Sequence, residues 1–399
     1  MTVLSDLPDV MTADFSLVRG GPLFQLWLGT RLTGSNLERI RRRIFVMVML
    51  TWLPLLLLAL IEGHALPGSA RLPFLLDIEQ HLRLLVALPL LIFGELLVHR
   101  RIWLIVQEFL SLGLVPNGAR AQFDAAVASA VRLRNSGVAE FVLVALVYGV
   151  GVAYFWRNYV AIDVLAWYGT MIEGKLHPSL AGWWMGCVSL PVLQFLLLRW
   201  YFRLVIWARF LWQVSRIKLQ LVPTHPDGCA GLGFLNLAQG AFAPMVAAQG
   251  VLVAGVIADR IFFGGAHLSD FYIDIVAILL IAVAAVLAPL LVFSGQLNQV
   301  ENDGVRDYGA LAQRYVRDFD QKWLRRTAGV QESLLGSADI QSLADLSSSF
   351  ERVQGIRSTP FTIRDALQLG VLVLLPILPL LLTMFSFQDL IKRAFELMF

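Results

Sequence analysis

The sequence predicts an all-α integral membrane protein, a bundle of about seven transmembrane helices with a small helical cytoplasmic cap. Three observations carry this reading. The 399 residues are 57% hydrophobic and only 15% charged, whereas a soluble chain carries about 25% charged residues. Several apolar stretches approach or exceed the roughly 20 helical residues that cross a hydrocarbon core. The basic residues gather on alternate connections between those stretches. This composition excludes an ordinary water-soluble globule, a disordered chain and a collagen-like rod. Cys187 and Cys229 are the only cysteines, too few for a disulfide framework or a cysteine-rich zinc module.

The apolar periods place spans at about 44–61, 82–99, 138–156, 181–198, 233–258, 271–293 and 366–385. The first carries no charge; the second carries Glu95. The organisation that follows is a cytoplasmic segment 1–43, a bundle 44–294 with helical extensions, a cytoplasmic helical segment 295–363, and a final span with its tail, 364–399. A cleavable signal peptide is not expected, because the first apolar span starts too far from the N-terminus. With the N-terminus inside, more than roughly three quarters of the 32 basic residues fall on the inner face. Lys392 and Arg393 then fall outside, unless Ile391–Phe399 folds back as an interfacial helix. On this map Cys187 and Cys229 lie far apart and unpaired.

Shorter segments lie outside these spans. Pro22–Gly29 is too short to cross and is expected in the interface, with Leu23, Phe24 and Trp27 dipping in. The stretch 119–134 reads as an amphipathic helix. Span four continues past the boundary with Arg199, Arg203, Arg209 and Arg216 on one arc, and Trp200, Leu204, Trp207 and Leu211 on another. The spacing is too irregular for a voltage sensor and is read as an extension that contacts anionic headgroups. In 295–361, Tyr308, Tyr315, Phe319 and Trp323 form an aromatic stripe. A second helix carries Ile340, Leu343, Leu346, Phe350 and Val353, with Ser337 as its N-cap. These helices offer a surface for a partner subunit or a second copy.

Three sets of residues are functional candidates. In span two, Asp77, His81, Glu95 and His99 fall within about 40° on a helical wheel. An ionised carboxylate at Glu95 is costly in hydrocarbon, so it must be paired, protonated or wet. As a pathway it would couple to His99; as structure it would pair with a neighbouring arginine such as Arg199. The loop Pro223–Leu235 holds His225 and Asp227 among Gly228, Gly231 and Gly233. It is either a capped turn or a site where helix-start N–H groups hold a phosphate or carboxylate. In span five, Asn236, Gly240, Ala243, Ala247, Gly250 and Ala254 form a seam of small side chains, the usual glue of membrane bundles. The alternative there is a pathway lined by Asn236, Gln239 and Gln249. Asp77 and His81 share a helical face that a metal could use, but no His-x-x-x-His or His-Glu-x-x-His follows, so no metal is expected. No cofactor is expected. The excess of arginine is explained by topology, so no nucleic-acid partner is expected either.

Two stretches, THPDGCAGLGFL at 224–235 and SADIQSLADLSSSFERVQGIRSTPF at 337–361, precede the proline-bearing span LLPILPLLLTMF. Together they resemble a group of uncharacterised bacterial polytopic membrane proteins. The resemblance implies a multi-pass protein of a bacterial inner membrane and carries no activity or site. Three functions follow as expectations. The first is a transporter or channel for a small polar solute or ion, using Glu95 and His99. The second is a non-catalytic scaffold or accessory subunit that recruits a partner through 295–361. The third is a membrane-embedded enzyme with an inner-face site at His225 and Asp227. A wet cavity at Glu95 would favour the first, and a dry, close-packed Glu95 the second.

Overall fold

The computed structural model describes residues 15–30, 39–68, 72–151, 166–172, 175–325 and 337–384. The side chains of Leu23, Leu26 and 170–176, the 152–156 end of span three, and the tail with Lys392 and Arg393 lie outside the described residues. The described chain is almost entirely helical. Its elements are α1 (Pro22–Gly29), α2 (Ile40–Ile61), α3 (Ile78–Ser111), α4 (Arg120–Arg134), α5 (Gly137–Gly151), α6 (Leu180–Val214), α7 (Gly233–Phe262), α8 (Leu268–Leu324), α9 (Ala338–Gln354) and α10 (Ile363–Leu374). A two-stranded antiparallel hairpin, β1 (Gly169–Ile172) and β2 (Lys175–Pro178), pairs Gly169 with Pro178 and joins α5 to α6.

Five helices, α2, α3, α6, α7 and α8, are long and apolar enough to cross a membrane. Two bent helix pairs, α4 with α5 at 45° and α10 with the 3-10 helix Leu378–Met384 at 59°, are long and apolar enough only when each pair is counted as one span, which brings the total from five to seven. The first bend falls at Asn135 and Ser136, where the Ser136 hydroxyl accepts the Ala139 N–H and starts a new helix. The second falls around Pro376 and Pro379. A proline lacks the N–H of the ladder and crowds the carbonyl one turn back, so the helix cannot continue straight. Two other prolines are absorbed without a break. Pro89 and Pro191 each follow a widened helical stretch, Leu82–Ala87 and Met185–Ser189. The wider turn makes room for the ring and lets the freed carbonyls find other donors.

The centre of the bundle is α7, 72% of whose apolar window is buried. In lipid there is no hydrophobic drive between helices, so packing depends on close approach and on polar ties. Both are present. Gly94 of α3 faces the Trp200 ring and Pro244, and Gly255 of α7 lies against the Glu79 backbone. Gly250 lies against the backbone of Val373 in α10. Gln249 donates to the Tyr201 hydroxyl at 2.8 Å, Gln239 donates to Gln368 at 2.9 Å, and Trp200 Nε1 donates to the Leu91 carbonyl at 3.1 Å. These bonds tie α7 to α6 and α10, and α6 to α3.

Helix starts at the hairpin end are capped by acids from elsewhere in the chain. Glu62 accepts the Leu180 N–H at 2.7 Å, and Asp259 accepts the N–H groups of Ile78 and Glu79 at 3.1 and 3.3 Å. These carboxyl oxygens accept N–H groups that the helix itself leaves without a partner. At the other end, α8 runs on far beyond its apolar part. Its Tyr315 and Trp323 reach Asp339 at the start of α9, and Ser337 caps α9 by accepting the Asp339 N–H. The aromatic stripe is thus a packing face for α9. Cys187 is an exposed free thiol and Cys229 a buried one.

The close approach at Gly250 sets a test. A methyl group added there meets the Val373 backbone, so Gly250→Ala should cost about 1–3 kcal/mol of stability. Gly295→Ala, with open space around the new carbon, should leave the melting temperature unchanged or slightly raised. Thermal unfolding of both variants in detergent checks the contrast.

Candidate functional site

A compact set of charges surrounds Glu95. The carboxylate is 1% exposed and lies on the bundle side of α3. Its Oε2 bonds the Arg43 guanidinium from α2, and its Oε1 accepts from Arg203 Nη2 of α6 at 2.5 Å. Arg199, one turn earlier on α6, lies 3.9 Å from the same oxygen and 3.6 Å from Oε1 of Glu140 in α5. Arg43 also donates to the Ile92 carbonyl. Trp27 of α1 covers the group, with the Arg43 guanidinium 4.0 Å and that of Arg199 6.0 Å from its ring centre. The cluster therefore joins α1, α2, α3, α5 and α6.

The sequence explains why these residues meet. Arg199 and Arg203 are one turn apart and project from one face of α6. The neighbouring face, Trp200, Leu204, Trp207 and Leu211, is buried against the bundle. The two arginines are themselves 6% and 2% exposed. Of this arc of arginines, expected to contact headgroups, Arg209 and Arg216 are exposed. For Arg199 and Arg203 that expectation is corrected, because Glu95 supplies the counter-charge that a headgroup would. Three guanidinium groups around two carboxylates leave a net positive centre. Arg43 Nε and Arg203 Nε and Nη1 are buried without a partner among the described residues. Trp27 supplies a polarisable face to that excess charge. It also lines an apolar cleft of about 180 Å³ with Met47, Val147 and Phe195.

His99 sits one turn from Glu95 on α3, yet its Nδ1 lies 2.9 Å from the Ser16 hydroxyl. The segment before α1 thus claims the ring. Arg134 donates to the Ser16 carbonyl at 2.5 Å, and Phe15 packs on Phe210. Phe24 and Trp27 are buried in protein, so the expectation that they dip into the lipid interface is corrected: this face of α1 packs on the bundle. Sequence reasoning missed Arg43, Glu140 and Trp27. The signal for Arg43 was present, since it is the last of three arginines before an uncharged span and is the one turned inward. Nothing in sequence spacing links Glu140 or Trp27 to Glu95.

The loop before α7 is built around Asp227. Its Oδ1 accepts the N–H groups of Cys229 at 2.8 Å and Gly231 at 3.1 Å, and its Oδ2 accepts that of Gly233 at 2.8 Å. His225 Nδ1 lies 2.9 Å from Oδ1. The helix-start N–H of Gly233 is therefore satisfied by the chain itself. The backbone has φ of +64° at Gly228 and +100° at Gly231, which glycine adopts without a Cβ clash. At Gly233 a Cβ would press on the Asp227 carboxylate. Arg357, after α9, donates from its N–H to the Gly228 carbonyl at 2.9 Å and from its guanidinium to the Asp227 carbonyl at 2.8 Å. Gly304 of α8 packs on Pro223 and Val353. The loop thus latches α7, α8 and the α9–α10 connection together.

Burial pushes the Asp227 carboxyl up, but the N–H groups of Cys229 and Gly233, the His225 ring and the Gly231 N–H outweigh it and hold it below the usual value. Burial pushes the Cys229 thiol up, which keeps it protonated and unreactive.

The other candidates fall as follows. Asp77 accepts the Gln80 N–H at 2.7 Å and the Trp167 indole N–H at 2.8 Å, and the His81 ring packs edge-on against Phe74 and Trp52. Among the described residues no group of three or more His, Cys, Asp or Glu could hold a metal ion. In the small-residue seam, Gly250 and Ala254 are buried, Gly240, Ala243 and Ala247 are half-buried, and Asn236 is exposed at the helix start. The Arg101 guanidinium lies across Gly240. Gln239 and Gln249 serve as interhelical bonds.

The helix content, the crossings and the buried ion cluster define a multi-pass all-α membrane protein. No family model, curated protein or solved structure matches the chain.

Two tests follow. Glu95→Gln leaves three arginines facing one carboxylate and should cost about 3–5 kcal/mol. Adding Arg203→Met should recover part of that loss, so the double variant melts above Glu95→Gln alone; strictly additive losses would contradict the cluster. For Asp227, a carboxyl held low in the folded state adds stability that is complete above its unfolded value near pH 4 and is lost as the pH falls through its folded value. Asp227→Asn should cost about 1–2 kcal/mol at neutral pH. It should also flatten the acid limb of a stability–pH curve measured by thermal unfolding.

Proposed function

We propose that the protein is a non-catalytic scaffold or accessory subunit of a bacterial cytoplasmic membrane, with its N-terminus in the cytoplasm. The observation that supports this most is the state of Glu95. Both its oxygens are bonded to guanidinium groups and it is 1% exposed, the dry arrangement of a structural lock. A transport carboxylate needs water or an exchangeable partner, and His99 is bonded to Ser16. The enzyme reading has less support still, since Asp227 is engaged by three backbone N–H groups.

The feature left for function is the arm. Beyond Phe293, α8 continues through the helix Ser294–Phe319 and the turn Asp320–Leu324, roughly 45 Å at the rise of an α-helix. With α9 it forms a hairpin in which Phe350 lies beside Gly309, and Leu343, Leu346 and Phe350 are half-buried. Leu311, Val316, Leu324 and Ile340 of this hairpin are exposed, Leu324 at 73%. In this reading the bundle anchors the arm in the cytoplasm, and these side chains meet a partner subunit or a second copy.

Two measurements test the reading. Sealed proteoliposomes should leak protons and small ions no faster than protein-free vesicles; a Glu95-dependent flux would establish the transport reading instead. A photo-crosslinking residue at Leu311 or Leu324 should give one discrete protein adduct in cells, and the same residue at lipid-facing Val276 should give none. Equal labelling at all three positions would remove the arm from the function.

A further inference from the structure

A groove along α6 is unused by the reading above. A cleft of about 390 Å³ lies between α6, α7 and the start of α8. Its walls are apolar and include Leu193, Leu197, Val253 and Ile257, and it is also lined by Arg83, Arg260 and Asp274. Connectivity puts these three charges at the hairpin end, since α3 and α8 begin there and α7 finishes there. A second cleft of about 400 Å³ is lined by Gln194 and Leu197, which it shares with the first, and by Leu198 and Tyr201. From Leu190 to Tyr201 the helix rises roughly 16 Å, about half the thickness of a hydrocarbon core. The groove therefore has a charged mouth at one membrane boundary and an apolar trough that reaches toward the midplane.

The charges at the mouth are of both signs. Arg83 is ion-paired with Glu79 one turn before it. Arg260 is exposed, with its guanidinium 5.7 Å from the Phe271 ring centre, and Asp274 is exposed in the first turn of the Tyr272–Leu287 segment. A guanidinium fork matches a phosphate by two parallel hydrogen bonds. A carboxylate matches a primary ammonium, whose three N–H donors it can accept. With Arg83 answered by Glu79, Arg260 and Asp274 remain as one cation and one anion at the mouth of a trough one acyl chain deep, a set complementary to a zwitterionic lipid headgroup.

We propose that this groove seats a glycerophospholipid of the ethanolamine type. Its phosphate lies on Arg260, its ammonium on Asp274, and one acyl chain runs along α6 past Gln194 toward Tyr201. Choline would meet Asp274 with methyl groups and lose the ammonium hydrogen bonds. Glycerol would offer Asp274 no positive charge. The site thus discriminates headgroups by a donor and a charge, and it does not depend on the Glu95 cluster or on the arm.

The test uses delipidated full-length protein in detergent, titrated with ethanolamine, choline and glycerol phospholipids of identical acyl chains. Thermal unfolding and retained-lipid mass spectrometry are the readouts. The ethanolamine lipid should give the largest rise in melting temperature and bind about tenfold more tightly than the choline lipid, the value of one charge-assisted hydrogen bond. Arg260→Gln should weaken retention of all three lipids. Asp274→Asn, at an exposed position that leaves the core intact, should erase the preference for ethanolamine over choline. Equal stabilisation by the three headgroups would mean ordinary annular lipid and would overturn the proposal. So would a preference for the glycerol headgroup, or an Asp274→Asn variant that keeps the wild-type order.

Discussion

The structure depends on one electrostatic constraint. Glu95 stands in a helix that crosses a medium unable to solvate it, so its charge must be answered by the protein. Arg43 and Arg203 answer it directly and Arg199 does so at longer range, while Glu140 offsets part of the cation excess. No single pair suffices there, because desolvating two ions costs more than one contact returns. A cluster spread over α2, α3, α5 and α6 fixes the rotation and depth of each helix, since a slip of one residue on any of them separates the charges. Trp27 extends the same constraint to α1, which packs against the bundle through that ring.

The remainder of the bundle is held by closer and weaker terms. Gly94, Gly250 and Gly255 let neighbouring backbones approach α7, and the amide and indole bonds of Gln239, Gln249 and Trp200 tie it to its neighbours. The Asp227 latch then fixes the aqueous end of α7 to α8 and α10. These are local devices. Each can be removed without dismantling the others, whereas loss of Glu95 leaves three cations in a dry core.

The transmembrane character was legible because lipid imposes a simple rule: long apolar helices with the charges outside. The starts of α2, α3, α6, α7 and α8 follow from that rule to within about four residues, whereas α3, α6 and α8 run well past the expected ends. The bend after Leu374 was less legible, since prolines elsewhere, Pro89 and Pro191, are accommodated by widened turns, and the bend after Arg134 rests on the Ser136 cap. Whether a proline bends or widens a helix depends on its neighbours in space. Glu95 stood out as an unpaid charge, and an arginine partner such as Arg199 was foreseeable. The full partner set was not. Arg43 lies 52 positions before Glu95, and Glu140 lies on a helix whose approach depends on the bend at Ser136. The His99 contact with Ser16 was hidden for the same reason. Asp227 was readable as a cap from its glycines, but its tie to Arg357 spans 130 residues and no local pattern encodes it.

A closed, water-free Glu95 is the central claim, and hydrogen–deuterium exchange on the unmodified protein in lipid nanodiscs addresses it most directly. Peptides covering 88–102 and 195–206 should stay protected for hours, as slowly as the middle of α7. Exchange in those peptides within seconds, while α7 stays protected, would show water reaching the cluster and would contradict the account.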